Sequence, residues 1–293
     1  MIDFVIPVHC KSAPNVRRVV SRLSRCTRGQ GDLRFNIVCD LDDSSFASLS
    51  SLVFPASLNV RIFSTQSYVN ESAFLSAISQ CKFINKSRYK WYWQQFKKLL
   101  SFQIPAISEK IVLWDSDTFP IGKQVFFDGD LPICQKSRAE YHVPYFMTFA
   151  NLAGRLVLPP HSSIAQYCPV YASELNHMAL IFAYGHTNKV AHAGSVFTGD
   201  MQPDYFRRIF SSLAASSACQ SLFADYEYIN LYRYLMSSPF VFSDSKHFRH
   251  GGYLLMPKAV ALMLLKWMGY SNVSYESYHP ADRLKRFLGL IEY

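Results

Sequence analysis

The run Val112-Leu113-Trp114-Asp115-Ser116-Asp117 carries an apolar stretch into two carboxylates spaced one residue apart. Alternate residues at a strand end point the same way, so both acids can reach one divalent cation. Mg²⁺ or Mn²⁺ takes such oxygen ligands and commonly shares them with substrate phosphates. A lone Asp-x-Asp triplet also occurs as an ordinary polar turn. Its place at the carboxyl end of a buried strand, where α/β sheets bind ligands, is what sets this one apart. Upstream lies Trp91-Tyr92-Trp93-Gln94-Gln95-Phe96-Lys97-Lys98. Gln94 and Lys98 share a helix face, as do Trp91 and Gln95. Amide donors and an ammonium so close to a metal site suit a diphosphate. The plain alternative is an amphipathic helix with Trp93, Phe96 and Leu100 inward, and for Lys97 a position in water is expected.

Two further segments carry titratable groups. In Phe223-Ala224-Asp225-Tyr226-Glu227-Tyr228, an acid at a helix start is adequately explained by capping or by the helix dipole, which covers Asp225. Glu227, set between two tyrosines, is harder to assign to solvent. A carboxylate among aromatic rings can have a raised pKa and serve as a general base. In Lys246-His247-Phe248-Arg249-His250-Gly251-Gly252 the paired glycines allow close backbone approach, and His250 can ligate a metal or a phosphate. A histidine held by structural hydrogen bonds is the commoner case. His9, Asp40 and Asp42 follow the first and second apolar runs, where they suit either a base and ribose or simple strand-end caps.

The elements that must position these groups read as alternating strands and helices. Strands are expected at Phe4 to Val8, Phe35 to Leu41, Val60 to Phe63 and Lys110 to Trp114. Helical spacing appears at Asn15 to Cys26, with Val16, Val19, Val20 and Leu23 on one face and arginines on the other. A helix over Tyr89 to Phe102 is stopped by Pro105. Strands separated by helices of this length predict βαβ units and a mainly parallel sheet. Farther on, Tyr141 to Ala150 mixes strand-like and aromatic residues. Helices are expected at Ala172 to Tyr184, Asp204 to Ala215, Tyr226 to Met236, Lys258 to Met268 and Arg283 to Ile291, with a short strand at Phe240 to Phe242.

Composition narrows the class. The 293 residues are 49% hydrophobic and only 17% charged, which excludes a disordered chain and favours one large α/β domain. The net charge of +9 favours anionic partners. The cations are scattered without a recognisable nucleic-acid motif, which argues against nucleic acid. Seven cysteines, widely spaced and without a Cys-x-x-Cys pair, indicate neither a disulfide framework nor a zinc site and fit a reducing compartment. The N-terminus lacks the pattern of a signal peptide, and no apolar run approaches the ~20 residues a bilayer span needs. A cytoplasmic protein is expected, with peripheral contact at the inner face of a membrane as an option; Arg17, Arg18, Arg22, Arg25 and Arg28 offer a basic face for it, though a solvated helix face explains them equally.

At the Trp91–Lys98, Val112–Asp117 and Asp225–Tyr228 blocks, with Arg249-His250-Gly251-Gly252, the chain resembles nucleotide-sugar-dependent glycosyltransferases of the GT-A fold. More narrowly, it resembles bacterial enzymes found with capsule and other surface-polysaccharide genes. Ser162-Ser163-Ile164-Ala165-Gln166 is a weaker block. The resemblance implies a Rossmann-like domain over residues 1–255, with a nucleotide-binding half to about 120, an acceptor half beyond it, and a C-terminal helical segment over 256–293. It implies Mn²⁺ or Mg²⁺ held by Asp115, Asp117 and His250 against the diphosphate of a nucleotide sugar, a UDP-sugar in the first instance. Donor contacts fall on Pro7, Val8, His9, Asp40, Gln94, Gln95, Lys98, Trp114, Asp115, Ser116 and Arg249. Glu227, with Asp225, becomes the candidate for the acceptor, a saccharide or lipid-linked hydroxyl. Asp225 stands where a Ser-Glu pair is more usual in the family. Two other readings compete: an aspartyl phosphatase or phosphotransferase using Asp115 as nucleophile, and a saccharide-binding module without catalysis.

Overall fold

The structure is a computed structural model, and it describes residues 1–8, 13–27, 29–40, 49, 52–135, 142–160, 167–185, 195–214, 221–243, 246–248 and 258–274. Strands β1 (Ile2–Pro7), β2 (Leu33–Cys39), β3 (Asn59–Ser64) and β4 (Lys110–Trp114) run parallel, and β8 (Tyr167–Tyr171) pairs antiparallel with β4. The order across the sheet is β3-β2-β1-β4-β8. This is the α/β architecture expected, a mainly parallel sheet flanked by helices. Strands buried on both faces are apolar along most of their length, which is why β1 from Phe4 and β4 from Ile111 read as apolar runs, while the buried Asp3 of β1 is paired with Arg34. After β3 the chain crosses back to the other side of β1, so the order reverses between β1 and β4. Ligands of open α/β sheets bind at such a switch point, outside the carboxyl ends of the strands.

Helices cover both faces. Helix α1 (Ala13–Cys26) packs Val16, Val19, Val20 and Leu23 beneath the sheet and turns Arg17, Arg18 and Arg25 outward. Its core joins Phe4, Phe35, Trp114, Phe126 and Tyr167. On the opposite face lie α2 (Glu71–Ser79), α3 (Tyr89–Leu99), α4 (Val143–Ala153), α5 (Ala172–Tyr184), α6 (Gln202–Ser212) and α7 (Asp225–Met236). Here Phe74, Phe96, Phe206 and Phe210 meet mostly edge to face, with centroids 5.0–5.8 Å apart.

Two small sheets complete the fold. One has the order β10-β11-β5, from Lys246–Phe248, Tyr270–Ser274 and Thr118–Pro120; the other is β6-β7-β9, from Phe127–Asp128, Leu131–Gln135 and Val241–Ser243. Helix α8 (Lys258–Trp267) precedes β11 and buries Ala261, Leu262 and Leu265, so the 258–274 segment contributes a strand as well as a helix. The run from Tyr141 to Ala150, whose mixed strand-like and aromatic residues leave its element open, is helical from Val143 as part of α4. Tyr145, Phe146, Phe149 and Leu152 recur at helical spacing, Pro144 occupies the first turn, and Gly154 ends the helix at φ +70°. The expected helix at Arg283 to Ile291 lies outside the described residues.

Candidate active site

Helix α3 lies along the carboxyl edge of the sheet and is tied to three acids. At the end of β2, Asp40 accepts from Trp93 Nε1 at 2.9 Å and from Lys97 Nζ at 2.8 Å. Lys97 is therefore 5% exposed rather than in water, a correction to the sequence reading. An ammonium buried with a paired carboxylate needs no solvent, and a spacing rule cannot see a partner 57 residues away.

Lys98, on the next residue, points at the switch point. Its ammonium lies 2.8 Å from Asp115 Oδ1 at the end of β4 and 2.5 Å from Asp225 Oδ2 in the first turn of α7. The same nitrogen sits 4.1 Å from the centroid of the Tyr226 ring. Burial works against the charge on Lys98, but Asp115 and Asp225 outweigh it and push its pKa up to about 12. Burial dominates at Asp225, whose carboxyl is raised to about 6 despite Lys98, with Asp115 adding to the rise. The Tyr226 phenol is held well above its ordinary range, first by burial and then by the charges of Asp115 and Asp225. It is a hydrogen-bond donor at neutral pH.

The start of α7 is locked from α3. The Asp225 N–H donates to Gln95 Oε1 at 3.1 Å, and Asp225 Oδ1 accepts from the Tyr226 N–H at 2.9 Å. Asp225 thus combines a helix-start role with an ion pair that local sequence does not reveal. Tyr228 faces the core, against Phe149, Phe182 and Phe223. Glu227 is fully buried and shares a helix face with Asn230, three residues on. Asn230 is also buried, and neither its Oδ1 nor its Nδ2 has a hydrogen-bond partner among the described residues. That orphaned amide is a feature sequence reasoning missed; its spacing from Tyr226 and Glu227 was the available signal.

The remaining candidates divide. Pro7 and Val8 are buried at the end of β1. Trp114 is fully buried, stacked on Tyr167 at 5.2 Å with its Nε1 donating to the Thr118 carbonyl at 2.9 Å, so its ring serves the core and leaves only its main chain toward a ligand. Ser116 is buried, Asp117 and Gln94 are half-buried. His9, Asp42, Arg249, His250 and the 162–166 block lie outside the described residues. No group of three or more His, Cys, Asp or Glu suited to a metal occurs among the described residues. Asp115 and Asp117 are two oxygen donors of the right kind, but one oxygen of Asp115 already holds Lys98. The fit to a divalent cation is therefore partial.

No protein-family model matches the sequence, and no curated protein does. Among solved structures, the chain is similar to a crystal structure of an active-site mutant of LgtC. The identity is 11%, the TM-score 0.48, and the match covers 98% of this chain and 95% of that one.

A second buried cluster stands on the other end of α7. Arg233 donates from Nε and Nη2 to Glu174 at 2.9 and 2.7 Å, from Nη2 to the Pro169 carbonyl at 2.9 Å, and from Nη1 to Cys134 Sγ at 2.9 Å. This ties α7 to α5, β7 and β8, and so fixes the helix whose first turn carries Asp225. Cys134 is therefore more than the small apolar residue expected from sequence. Its thiol is lowered to about 7 by the neighbouring Cys168 thiol and by Arg233, against burial.

Proposed function

We propose that the protein transfers a glycosyl group from a nucleotide sugar to a hydroxyl of a saccharide or lipid-linked acceptor, in bacterial surface-polysaccharide synthesis. The observation that carries this reading is the meeting of Asp115, Lys98, Asp225 and Tyr226 at the sheet's switch point, with the main chain of β1 beside it. In the reaction the bond between the anomeric carbon and the diphosphate oxygen breaks, and the nucleoside diphosphate leaves with the electron pair. The acceptor oxygen bonds to the anomeric carbon and gives up its proton. Lys98, kept charged by its two carboxylates, holds Asp115 in place at the end of β4, beside the departing diphosphate. Asp225 positions Lys98. Glu227 is the proposed base, with Asn230 on the same helix face as a contact for the acceptor. A Mn²⁺ or Mg²⁺ ion on Asp115 and Asp117, with His250, would further offset the charge of the leaving group.

The test is a thermal-shift screen of nucleotides and nucleotide sugars with and without Mn²⁺, followed by transfer assays. A selective, metal-dependent rise in melting temperature with a nucleotide sugar is expected, abolished in Asp117→Ala while that variant keeps the wild-type melting temperature without ligand. Glu227→Gln should still bind donor and lose transfer. If no nucleotide or nucleotide sugar shifts the wild-type chain, the reading fails. Trapping of a phosphorylated Asp115 would replace it with phosphoryl transfer.

A further inference from the structure

Helix α8 is apolar on two opposite sides. Ala261, Leu262 and Leu265 face the core, whereas Val260, Met263, Leu264 and Trp267 recur at i, i+3, i+4 and i+7 and face outward. Trp267 is 85% exposed, the highest value for any large apolar side chain among the described residues, and Met263 is 65% exposed. Met268 extends the stripe past the helix end. A solvated helix of a water-soluble fold turns mainly charged residues outward; beside Lys266 this one turns out a tryptophan, a methionine, a leucine and a valine. Such a patch marks a surface that something covers.

The charges around the stripe say what kind of surface covers it. Lys266 is exposed on α8, and it lies within electrostatic reach of Cys26, the last residue of α1, as do Arg22 and Arg25. Among the described residues none of these three cations has an ion-pair partner. A second copy of the chain would set these cations against their own duplicates, on a protein already carrying a net charge of +9. An anionic surface meets them with opposite charge. Apolar side chains with an interfacial tryptophan, flanked by lysine and arginine, are the composition of a helix that lies in the headgroup region of a bilayer. With ten residues, α8 is far too short to span one, and no described helix is long and apolar enough to cross a membrane.

We propose that the outward stripe of α8, flanked by Lys266, Arg22 and Arg25, docks the protein on an anionic phospholipid surface. The inference rests on this face alone and stands or falls independently of the transfer reaction. It is tested by co-sedimentation of the full chain with vesicles of phosphatidylcholine containing phosphatidylglycerol, against vesicles of phosphatidylcholine only. Binding to the anionic vesicles is expected, weakened by salt. The pair Met263→Ser with Trp267→Ser should lower it by about tenfold or more, since each side chain forgoes its transfer from water. The triple change Arg22→Ser, Arg25→Ser and Lys266→Ser should remove the preference for anionic lipid. Met263, Trp267, Arg25 and Lys266 are exposed and Arg22 is half-buried, and an unchanged melting temperature verifies that each variant is folded. Equal binding by wild type and the Met263/Trp267 variant, or no binding of wild type to anionic vesicles, overturns the proposal. So does a wild-type dimer in sedimentation velocity that the same variant dissolves, which would assign the face to a second copy.

Discussion

At the scale of the residue, the cluster around Lys98 has a definite energetic signature. Lys98, Asp115 and Asp225 balance one another in a site from which water is nearly excluded. Lys98→Met leaves two carboxylates together without their cation and should cost about 3–5 kcal/mol. Adding Asp225→Leu removes one of the stranded charges and should recover part of that loss, which urea unfolding of the single and double variants measures. Two buried acids also predict opposite pH dependences. The Asp225 carboxyl is raised from 3.8 to about 6, so the folded state holds its proton more tightly than the unfolded state does. Its contribution to stability is complete below pH 3.8 and is lost as the pH rises through 6. For Asp3, burial is outweighed by hydrogen bonds from Arg34, Ser108 and Asn36, and the carboxyl falls below its ordinary value. Its contribution is present above that value and is lost as the pH falls through the lowered one. Asp225→Asn should therefore flatten the stability profile between pH 4 and 6, while Asp3→Asn should flatten it only at lower pH; pH-resolved thermal melts distinguish the two. Asn230 offers a third case. A buried amide with no partner among the described residues bears its desolvation cost unrepaid, so Asn230→Leu should raise stability by about 1 kcal/mol. If Asn230 touches the acceptor, the same change should raise the KM for that acceptor and leave donor binding intact.

At the scale of the element, α3 is the part that assembles the site, since Lys97, Lys98 and Gln95 tie it to the ends of β2 and β4 and to the start of α7. Asp40→Ala strands the buried ammonium of Lys97 and should destabilise the fold by about 2 kcal/mol, Asp40 itself being partly exposed. Lys97→Met should repair most of that loss; an unrepaired double variant would mean that the Trp93 bond to Asp40 matters more than the ion pair. The chain discloses some of this arrangement and conceals the rest for a physical reason. Strands β1, β2, β3 and β4 and helix α1 are legible because each is a local apolar pattern, a short apolar run for the strands and a one-faced stripe for the helix. Asp115 and Lys98 stand out because they sit at the ends of such patterns. The fate of Lys97 is not legible, since a buried lysine and a solvated one have the same local sequence and differ only in a distant partner. Strands β5, β7, β8 and β11 are short, β7 and β8 holding an internal proline and β5 and β11 polar residues that pair across the fold, as Thr118 does with Ser274 at 2.7 Å. Helix α2 escapes notice because it presents only Phe74, Ala77 and Ile78 to the core, too few to establish a period.

At the scale of the whole molecule, the central sheet is a wall shared by two apolar cores. Phe96 and Trp93 belong to the core on the side of α3 and α7, whereas Phe4 and Trp114 belong to the core on the side of α1 and α8. Main-chain hydrogen bonds of β1 and β4 serve both, because each strand sends alternate side chains to opposite faces: Phe4 to one core and Val5 to the other. Loss of packing on one face therefore removes support from strands the other face needs, and the two halves should unfold as one. Phe96→Ala and Phe4→Ala should each cost about 3–5 kcal/mol, although they lie in different cores. Tryptophan fluorescence separates the faces, since Trp93 reports on one and Trp114 on the other. Chains retaining only Trp93 or only Trp114, the other tryptophans changed to phenylalanine, should give superimposable urea transitions, and each core substitution should move both curves equally. Were Phe4→Ala to shift the Trp114 curve while leaving that of Trp93 in place, the α1 and α8 layer would be a separately unfolding unit. The acidic cluster at the switch point, which rests on α3 and α7, would then survive loss of the face that carries Trp267.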